Sequence, residues 1–228
     1  MSGTHQLEVL SDPEAVARRG AEVIYERARE SLQSGGHFDL AASGGRTPWK
    51  MYADLCDHDL DWSEISIFQA DERLAPAGSQ ERNLTHLIAA LSPEAQESLK
   101  PMPVGSDEED DEALEAAAYR YAESLPERLD LVHLGLGADG HTASLVPGDT
   151  VLGMTDRKVA LTAEAYQGSR RMTLTYPTID NARELLWVVT GEEKREALSS
   201  LLDGDEGIPA GKITFEDSIV IADRAAVG

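Results

Sequence analysis

The sequence predicts an α/β fold: a single-domain, Rossmann-like three-layer α/β/α arrangement with a mostly parallel sheet, extending over residues 1–228. Short apolar runs alternate with amphipathic stretches at helical spacing along the chain, which indicates a sheet covered by helices on both faces. The strongest apolar run, ELLWVVT at 184–190, lacks regular polar alternation, as expected of a strand that is buried on both sides. No linker or internal repeat divides the 228 residues, a length that suits one large domain.

The first helix is predicted from a capping box of Ser11 and Glu14, with Pro13 in the first turn, where its missing N–H costs nothing. Apolar residues follow at helical spacing for roughly twenty residues, and Gly35 and Gly36 end the helix. The same criteria predict strands at 37–42, 65–70, 131–134, 159–162, 172–179, 184–190 and 218–222, and helices at 49–55, 84–91 and 110–128. The acidic block at 106–112 (SDEEDDE) is interpreted as a solvated helix start.

The charge of the chain excludes a nucleic-acid partner. The formal net charge is −22, and the clustered lysines and arginines that bind phosphate backbones are missing. Only five lysines occur, and the acidic residues are spread over the whole chain. Such a surface is typical of a protein that works in high salt, where counterions screen the self-repulsion. The alternative is a protein that is acidic without being halophilic.

Cysteine usage and hydropathy restrict the classes further. Cys56 is the only cysteine, so an internal disulfide and a cysteine-rich metal site are excluded. Its neighbours Asp57 and Asp59 disfavour a reactive thiolate, because nearby negative charge raises the pKa of a thiol. No apolar run approaches the ~20 residues of a membrane helix, and the N-terminus lacks the regions of a signal peptide. A cytoplasmic protein without a membrane partner is expected.

The stretch at 130–148, DLVHLGLGADGHTASLVPG, is the best candidate for chemistry. A buried strand leads into a glycine-rich turn and then into a predicted short helix near His141, an order that builds an anion site. The glycines also fit the dinucleotide fingerprint G-x-G-x-x-G, although Pro147 ends the next apolar run early and Asp139 would face the pyrophosphate. A second interpretation is a structural turn whose histidine only caps or packs. The favoured interpretation is a catalytic acid/base, His141, that Asp139 tunes or orients.

A second glycine turn follows the strand at 37–42. Ser43, Gly44, Gly45 and Thr47 combine hydroxyls with backbone N–H groups, and Pro48 suits the first turn of the next helix. This set is well suited to binding a phosphate. A plain tight turn is the alternative.

Three consecutive charges, Asp71, Glu72 and Arg73, follow the strand at 65–70. Charges at the carboxyl end of a strand are costly to bury in a core, so they are expected to reach solvent or to line the crevice of an open α/β sheet.

Further cations precede or follow the predicted strands of the second half. Arg170 and Arg171 stand before the apolar run at 172–179, either as surface charges or as anion clamps. Lys194 lies in the first turn of the helix that follows the strand at 184–190, a position beside the end of a strand.

Five segments stand out when they are taken in order along the chain. They are SGGRTP at 43–48, DERLAP at 71–76 with Asn83 beyond it, LGLGADGHTASLVPG at 134–148, RMTLTYPTI at 171–179 and VTGEEKREAL at 189–198. Together they resemble the 6-phosphogluconolactonase family, and the resemblance extends over nearly the whole chain. The related glucosamine-6-phosphate deaminases share the glycine turn, the aspartate of the second motif and the Gly-x-Asp-Gly-His core. The continuation of that core at 142–145 (TASL) favours the lactonase.

The resemblance implies a cofactor-free, metal-free enzyme that opens 6-phosphoglucono-1,5-lactone to 6-phosphogluconate, the second step of the oxidative pentose phosphate pathway. His141 would be the acid/base, and Asp71 and Arg73 would line the lactone end. Its partner would be the small-molecule lactone, and the protein would be a monomer or a small homo-oligomer.

The resemblance also implies a binding site for the rest of the substrate. Arg171 and Lys194 would hold the phosphate, and Arg170 is the candidate to replace a lysine that the family often has a few positions earlier. The remaining substrate-binding residues would be Ser43, Gly44, Gly45 and Thr47.

The chemistry of the reaction agrees with these residues. A δ-lactone is an activated ester, so its hydrolysis needs a base for water, donors for the oxyanion and a proton for the ring oxygen, but no redox cofactor. One histidine can serve as base and then as acid. The alternatives are deamination and isomerisation of glucosamine 6-phosphate, with Asp71 as the base and His141 assisting ring opening, and a non-catalytic sugar-phosphate-binding protein.

Overall fold

The structure of the protein, a computed structural model, describes residues 4–105, 110–214 and 217–228. Residues 106–109 of the acidic block lie outside this part of the chain, and the next helix begins at Asp111. The strands within the described ranges are β1 Thr4–Leu10, β2 Phe38–Ala42, β3 Ile65–Gln69, β4 Asp71–Arg73, β5 Leu99–Lys100, β6 Leu131–Leu134, β7 Val159–Leu161, β8 Arg171–Leu174, β9 Glu184–Val189 and β10 Asp217–Asp223. The α-helices are α1 Pro13–Gln33, α2 Arg46–Leu55, α3 Asn83–Ala90, α4 Pro93–Glu97, α5 Asp111–Ser124, α6 Tyr176–Asp180, α7 Arg195–Leu202 and α8 Arg224–Val227.

The central sheet confirms the predicted fold class. It has seven strands in the order β1-β10-β9-β6-β2-β3-β5, and every pairing between neighbouring strands is parallel. A second sheet, which the sequence analysis did not predict, contains three antiparallel strands in the order β4-β8-β7.

Strand β9 shows why the central sheet is covered on both faces. Leu185, Trp187 and Val189 belong to one apolar cluster, which includes residues of α5, α7 and α8. Leu186 and Val188 point the other way into a cluster with α1, α2 and α3. Since successive side chains of a strand face opposite sides of a sheet, an uninterrupted apolar run requires a helical layer on each side.

The order of the strands also determines where a ligand site lies. From β2 the chain proceeds outward to β3 and β5, returns to β6 on the other side of β2, and continues to β9 and β10. The β2–β6 boundary is therefore the point at which the strand order reverses. In open α/β sheets, ligands bind beyond the carboxyl ends of the strands at such a point.

The start of α1 corrects one detail of the sequence analysis. The N-cap is Asp12 rather than Ser11, because the Asp12 carboxylate accepts a hydrogen bond from the Ala15 N–H at 2.9 Å. Pro13 occupies the first helical turn, so the residue directly before it has the extended backbone of a cap. The Ser11 hydroxyl donates to the Asp12 side chain instead.

The predicted short helix near His141 is wrong. Residues 141–148 form turns, with a short bridge between Thr142 and Leu145, and the next helical segment is a 3-10 turn at Thr150–Gly153. Ala143 has a left-handed backbone with φ of 47°, which interrupts any α-helix at this point. The segment is held instead by the Thr142 hydroxyl, which donates to the Gly135 carbonyl at 2.8 Å.

Three of the described strands escaped the sequence analysis, among them the two-residue strand β5, which pairs with β3. Strand β1 pairs with β10 at the edge of the central sheet. The charged run at 71–73 is itself strand β4, which pairs with β8. In the part of the chain that the structure describes, no helix has both the length and the apolarity needed to cross a membrane.

Candidate active site

A cleft of about 820 Å³ opens beyond the carboxyl ends of the central strands, at the β2–β6 boundary. The turn after β2, the loop after β6, the start of α3, strands β4 and β8 and the segment after β9 all contribute to its wall. The cleft brings together most of the residues proposed from sequence. Those that line it are Ser43, Gly44, Gly45, Thr47, Asp71, Arg73, His141, Arg171 and Lys194.

The glycines of the turn after β2 are required by close packing. A Cβ on Gly44 would lie 2.4 Å from the Asn83 side-chain oxygen, and Gly45, the N-cap of α2, has φ of 138°. The Thr47 hydroxyl lies 2.8 Å from the Thr190 hydroxyl, which joins this turn to the end of β9. The residues of the first turn of α2 line the cleft, and the N-terminus of a helix is a position that favours an anion.

His133 on β6 supports this turn from below. Its Nδ1 accepts hydrogen bonds from the Tyr52 hydroxyl at 2.8 Å and from the Ser43 N–H at 3.3 Å. Burial lowers the pKa of the His133 imidazole to about 3, so the ring is neutral at ordinary pH. Its role is structural, and the sequence analysis did not single it out.

His141 forms a close pair with Asp139. Their Nδ1 and Oδ1 atoms are 2.6 Å apart, and the Asp139 carboxylate also accepts from the His141 backbone N–H at 3.2 Å. Partial burial alone would raise the pKa of Asp139, but hydrogen bonds from Tyr166 and His141 outweigh it and lower this pKa to about 2. Because Asp139 is ionised, Nδ1 carries the imidazole hydrogen, and Nε2 remains as the nitrogen that can accept a proton. Asp139 thus contacts both the ring and the backbone of His141.

Gly137 makes room for this pair. A Cβ at that position would lie 2.0 Å from the His141 Nδ1 atom and 2.7 Å from the Asp139 Oδ1 atom. The Gly137 N–H donates to the His141 carbonyl at 2.8 Å, which fixes the loop. Gly137 is therefore required by the contact between His141 and Asp139.

Asp71 is buried at the base of the cleft, with 5% of its surface exposed. One of its carboxylate oxygens accepts from the buried Ser144 hydroxyl at 2.6 Å, and the other accepts from the Asn83 amide at 3.2 Å. The Ser144 N–H in turn donates to Thr173 on β8. Sequence reasoning missed Ser144 as a functional residue, although it lies within the quoted segment at 134–148.

Glu72 neither reaches solvent nor lines the cleft, so neither outcome expected for the charged run applies to it. Its carboxylate is fully buried and accepts from the backbone N–H groups of Asn83 and Leu84 at 2.7 and 2.8 Å. It also accepts from the Gln69 amide at 2.9 Å. Glu72 therefore caps the start of α3. Asn83 is the first residue of this helix and contacts Asp71.

Five lysines and arginines of the described part of the chain line the cleft, and three of them, Arg73, Arg171 and Lys194, are the ones proposed from sequence. Arg73 on β4 donates to the Glu81 carbonyl at 2.6 Å, and Lys194 lies on the 3-10 turn before α7. Arg171 on β8 is buried, and desolvation by burial lowers the pKa of its guanidinium. Its Nη2 donates to the Tyr166 carbonyl at 3.1 Å. In a protein with a net charge of −22, this local group of cations is where an anion is attracted.

Arg170 lies outside this group. It pairs with Asp111 at 2.7 Å and donates to the Thr162 carbonyl at 3.3 Å, and it does not line the cleft. Adjacent residues of an extended chain face opposite sides, so Arg170 and Arg171 cannot both point into one pocket. The structure therefore does not place Arg170 as a substitute phosphate ligand.

Comparisons with known proteins identify the family of the chain. The sequence model of the family described as "Glucosamine-6-phosphate isomerases/6-phosphogluconolactonase" matches residues 11–221. The 6-phosphogluconolactonase of Rhizobium meliloti (strain 1021) is 32% identical over 206 residues, which cover 88% of this chain and 89% of that protein. The 6-phosphogluconolactonase of Synechocystis sp. is 32% identical over 207 residues, which cover 86% of this chain and 84% of that protein.

Solved structures show the same fold. The crystal structure of 6-phosphogluconolactonase from Thermotoga maritima superimposes with a TM-score of 0.83 at 25% identity, covering 97% of this chain and 100% of the other. A monomeric glucosamine-6-phosphate deaminase superimposes with a TM-score of 0.80 at 20% identity, covering 97% of this chain and 98% of the other, a likeness that concerns the fold alone.

Proposed function

Because the chain belongs to the family of glucosamine-6-phosphate isomerases and 6-phosphogluconolactonases, we propose that it hydrolyses 6-phospho-D-glucono-1,5-lactone to 6-phospho-D-gluconate. One observation carries the proposal. His141, which is paired with Asp139, lines the same cleft as Arg73, Arg171 and Lys194. A general base and cations are the groups that hydrolysis of a phosphorylated lactone requires. The enzyme would act in the cytoplasm, in the oxidative pentose phosphate pathway.

In the proposed mechanism, His141 acts as the general base. Its Nε2 takes a proton from a water molecule that attacks the lactone carbonyl carbon. The imidazolium that results is stabilised by the ionised Asp139 at 2.6 Å. The same nitrogen then returns the proton to the ring oxygen as the C–O bond breaks, which leaves the carboxylic acid and a free hydroxyl. Groups of this kind contribute roughly 10²–10⁴ to a rate.

The phosphate is proposed to lie between Arg171, Lys194 and the first turn of α2. Arg171 and Lys194 supply charge-assisted hydrogen bonds. The turn at Gly44 and Gly45 supplies backbone N–H groups and the positive end of the α2 dipole, with the Thr47 hydroxyl beside it.

Asp71 and Arg73 are proposed to face the lactone end of the substrate. Ser144 and Asn83 each occupy one oxygen of the Asp71 carboxylate, and a carboxylate has about four lone-pair sites, so capacity remains for sugar hydroxyls. Arg73 provides a positive charge for the oxyanion that develops on the carbonyl oxygen.

The test is a direct assay of the purified protein with the lactone freshly generated. Acid release is recorded at constant pH and corrected for spontaneous opening of the lactone. We expect a rate far above the uncatalysed one with the phosphorylated lactone, and no ammonia release from glucosamine 6-phosphate. Ammonia release without lactone opening would establish the deaminase alternative instead. If neither substrate reacts but either sugar phosphate raises the melting temperature, the protein is a non-catalytic binder.

A further inference from the structure

Tyr166 lies on the loop between β7 and β8, at the start of a tight turn. The Tyr166 N–H donates to the Ser169 carbonyl at 3.0 Å, which closes the turn. Gln167 and Gly168 at its tip both have positive φ, of 52° and 98°. The turn holds the Tyr166 side chain over the loop that carries His141, and the ring is half-buried there.

The Tyr166 hydroxyl contacts both members of the histidine–carboxylate pair. It donates to the Asp139 Oδ2 atom at 2.7 Å and lies 3.2 Å from the His141 Nδ1 atom. The two rings meet edge to face, with centroids 5.1 Å apart. Asp139 therefore accepts from Tyr166 on one oxygen and from His141 on the other, which prevents the carboxylate from rotating.

The same residue contacts the proposed phosphate end of the cleft. The Arg171 guanidinium stacks over the Tyr166 ring at 5.1 Å, and it donates to the Tyr166 carbonyl at 3.1 Å. A cation over an aromatic face is stabilised by the ring quadrupole. Tyr166 thus connects the reacting pair with one of the cations, through its hydroxyl on one side and through its ring and carbonyl on the other.

On the basis of the proposed function, we infer that Tyr166 is a positioning residue, which fixes the Asp139–His141 pair for catalysis and the Arg171 guanidinium for the phosphate. The hydroxyl of Tyr166 contacts the Asp139–His141 pair and its ring contacts Arg171, so the two effects can be separated by substitution. Removal of the hydroxyl alone alters the reacting pair, whereas removal of the ring alters Arg171 as well.

The pH dependence distinguishes positioning from a general loss of structure. Tyr166 contacts the pair directly, and Arg171 lies over the Tyr166 ring. The other charged or titratable groups of the cleft wall are Glu14, Arg46, Lys50, Asp71, Arg73, His86, Glu193 and Lys194. The hydrogen bond from Tyr166 is the largest of the contacts that lower the pKa of Asp139. Without it, the pKa of Asp139 rises, so the carboxylate that holds His141 is protonated at a higher pH and the acidic limb of the kcat/KM profile moves upward.

The experiment compares Tyr166→Phe and Tyr166→Leu with the intact protein in the lactone assay. Tyr166→Phe is expected to lower kcat roughly tenfold, the usual scale for a hydrogen bond to a charged group, with little change in KM and with the acidic limb shifted upward. Tyr166→Leu is expected to raise KM for the phosphorylated lactone in addition, and to leave KM for unphosphorylated gluconolactone unchanged. Tyr119→Phe on α5, where the side chain is 67% exposed, is the matched control and should behave as the intact protein does.

A cycle with Asp139→Asn completes the test. If Tyr166 acts through Asp139, adding Tyr166→Phe to Asp139→Asn costs no further activity, whereas independent effects would multiply. The inference is overturned if Tyr166→Phe retains kcat within about twofold with an unmoved acidic limb. It is also overturned if the losses multiply in the double variant. An intact protein that does not hydrolyse the lactone refutes the proposed function, and that result is obtained before any variant is measured.

Discussion

Substitution of Gly137 by alanine tests the proposed catalytic pair without removing any of its members. Gly137 has no positive φ, so its backbone tolerates an alanine. The added methyl group would nevertheless lie 2.0 Å from the His141 Nδ1 atom and 2.2 Å from its Cε1 atom. The perturbation is therefore confined to the positions of the His141 ring and of Asp139.

The size of the effect follows from these distances. The van der Waals contact distance of non-bonded heavy atoms is about 3.5 Å, so the imidazole must move by roughly 1.5 Å to relieve the contact at 2.0 Å. A misplacement of about 1 Å in a catalytic constellation costs on the order of a hundredfold in rate. Since the His141 side chain is 21% exposed, the ring has space to move, and the fold should not be lost. We expect kcat to fall about a hundredfold while the melting temperature stays the same or rises slightly, because a compatible Gly→Ala change restricts the unfolded chain.

The assay is background-corrected lactone hydrolysis together with thermal unfolding. Gly153→Ala is the matched control, because Gly153 also lacks a positive φ and a Cβ there meets no atom within 4 Å. A Gly137→Ala variant that folds and retains the kcat of the control would refute the assignment of His141 as the reacting base. A variant that loses its melting transition would show that the loop cannot adjust, and His141→Gln then tests the same assignment.

Four further predictions concern single residues or the solvent. His141→Gln should lower kcat by roughly 10²-fold or more with a smaller change in KM, and an unchanged kcat would discard the base assignment. Lys194→Ala and Arg171→Ala should each raise KM for the phosphorylated lactone about ten- to a hundredfold and leave KM for unphosphorylated gluconolactone unchanged. Equal increases in KM for both substrates would indicate a role in the fold. The pKa of His133 is about 3 in the folded protein and about 6.5 in the unfolded chain, so the free energy of unfolding falls as the pH falls through this window. The loss is up to about 1.4 kcal/mol per pH unit. Urea titrations at several pH values should show a weaker dependence of this free energy on pH for His133→Gln. Because the screening length falls from about 30 Å at 0.01 M to about 3 Å at 1 M ionic strength, the melting temperature should rise from dilute buffer to 2 M KCl, and a flat or falling series would remove the halophilic interpretation.

The sequence was sufficient to predict the architecture because most strands of the central sheet can be recognised from local sequence patterns. Buried runs such as β9 and the glycine turns at their carboxyl ends follow from short-range rules of periodicity and turn chemistry. Strand β1 was missed because its sequence, THQLEVL, mixes polar and apolar residues at an edge of the sheet. The helix after His141 was predicted wrongly because the residue types around Ala143 do not indicate its left-handed backbone.

The site was predicted less completely, because its details depend on contacts between segments that are distant in sequence. Nothing local distinguishes Tyr166 in its loop from a surface tyrosine, and only its distance to Asp139 reveals it. Arg170 and Arg171 likewise cannot be ranked from sequence, since the register of β8 decides which one faces the cleft. Glu72 stands in the middle of a charged run, and only the packing of α3 onto β4 shows that it is a buried cap.

The pairing of strands in the second sheet places two positive charges of the site next to each other, which lowers the stability of the folded protein. In the antiparallel pairing of β4 and β8, Arg73 stands directly opposite Arg171, and like charges in that position destabilise a strand pair. The carboxylate between Asp71 and Arg73 in sequence, Glu72, is already committed to the backbone of α3, and Asp71 is held by Ser144 and Asn83. Among the residues that the structure describes, neither Arg73 nor Arg171 forms a salt bridge, in a chain with 42 acidic residues. We infer that the missing negative charge is supplied by the substrate, either as its phosphate or as the oxyanion formed during hydrolysis.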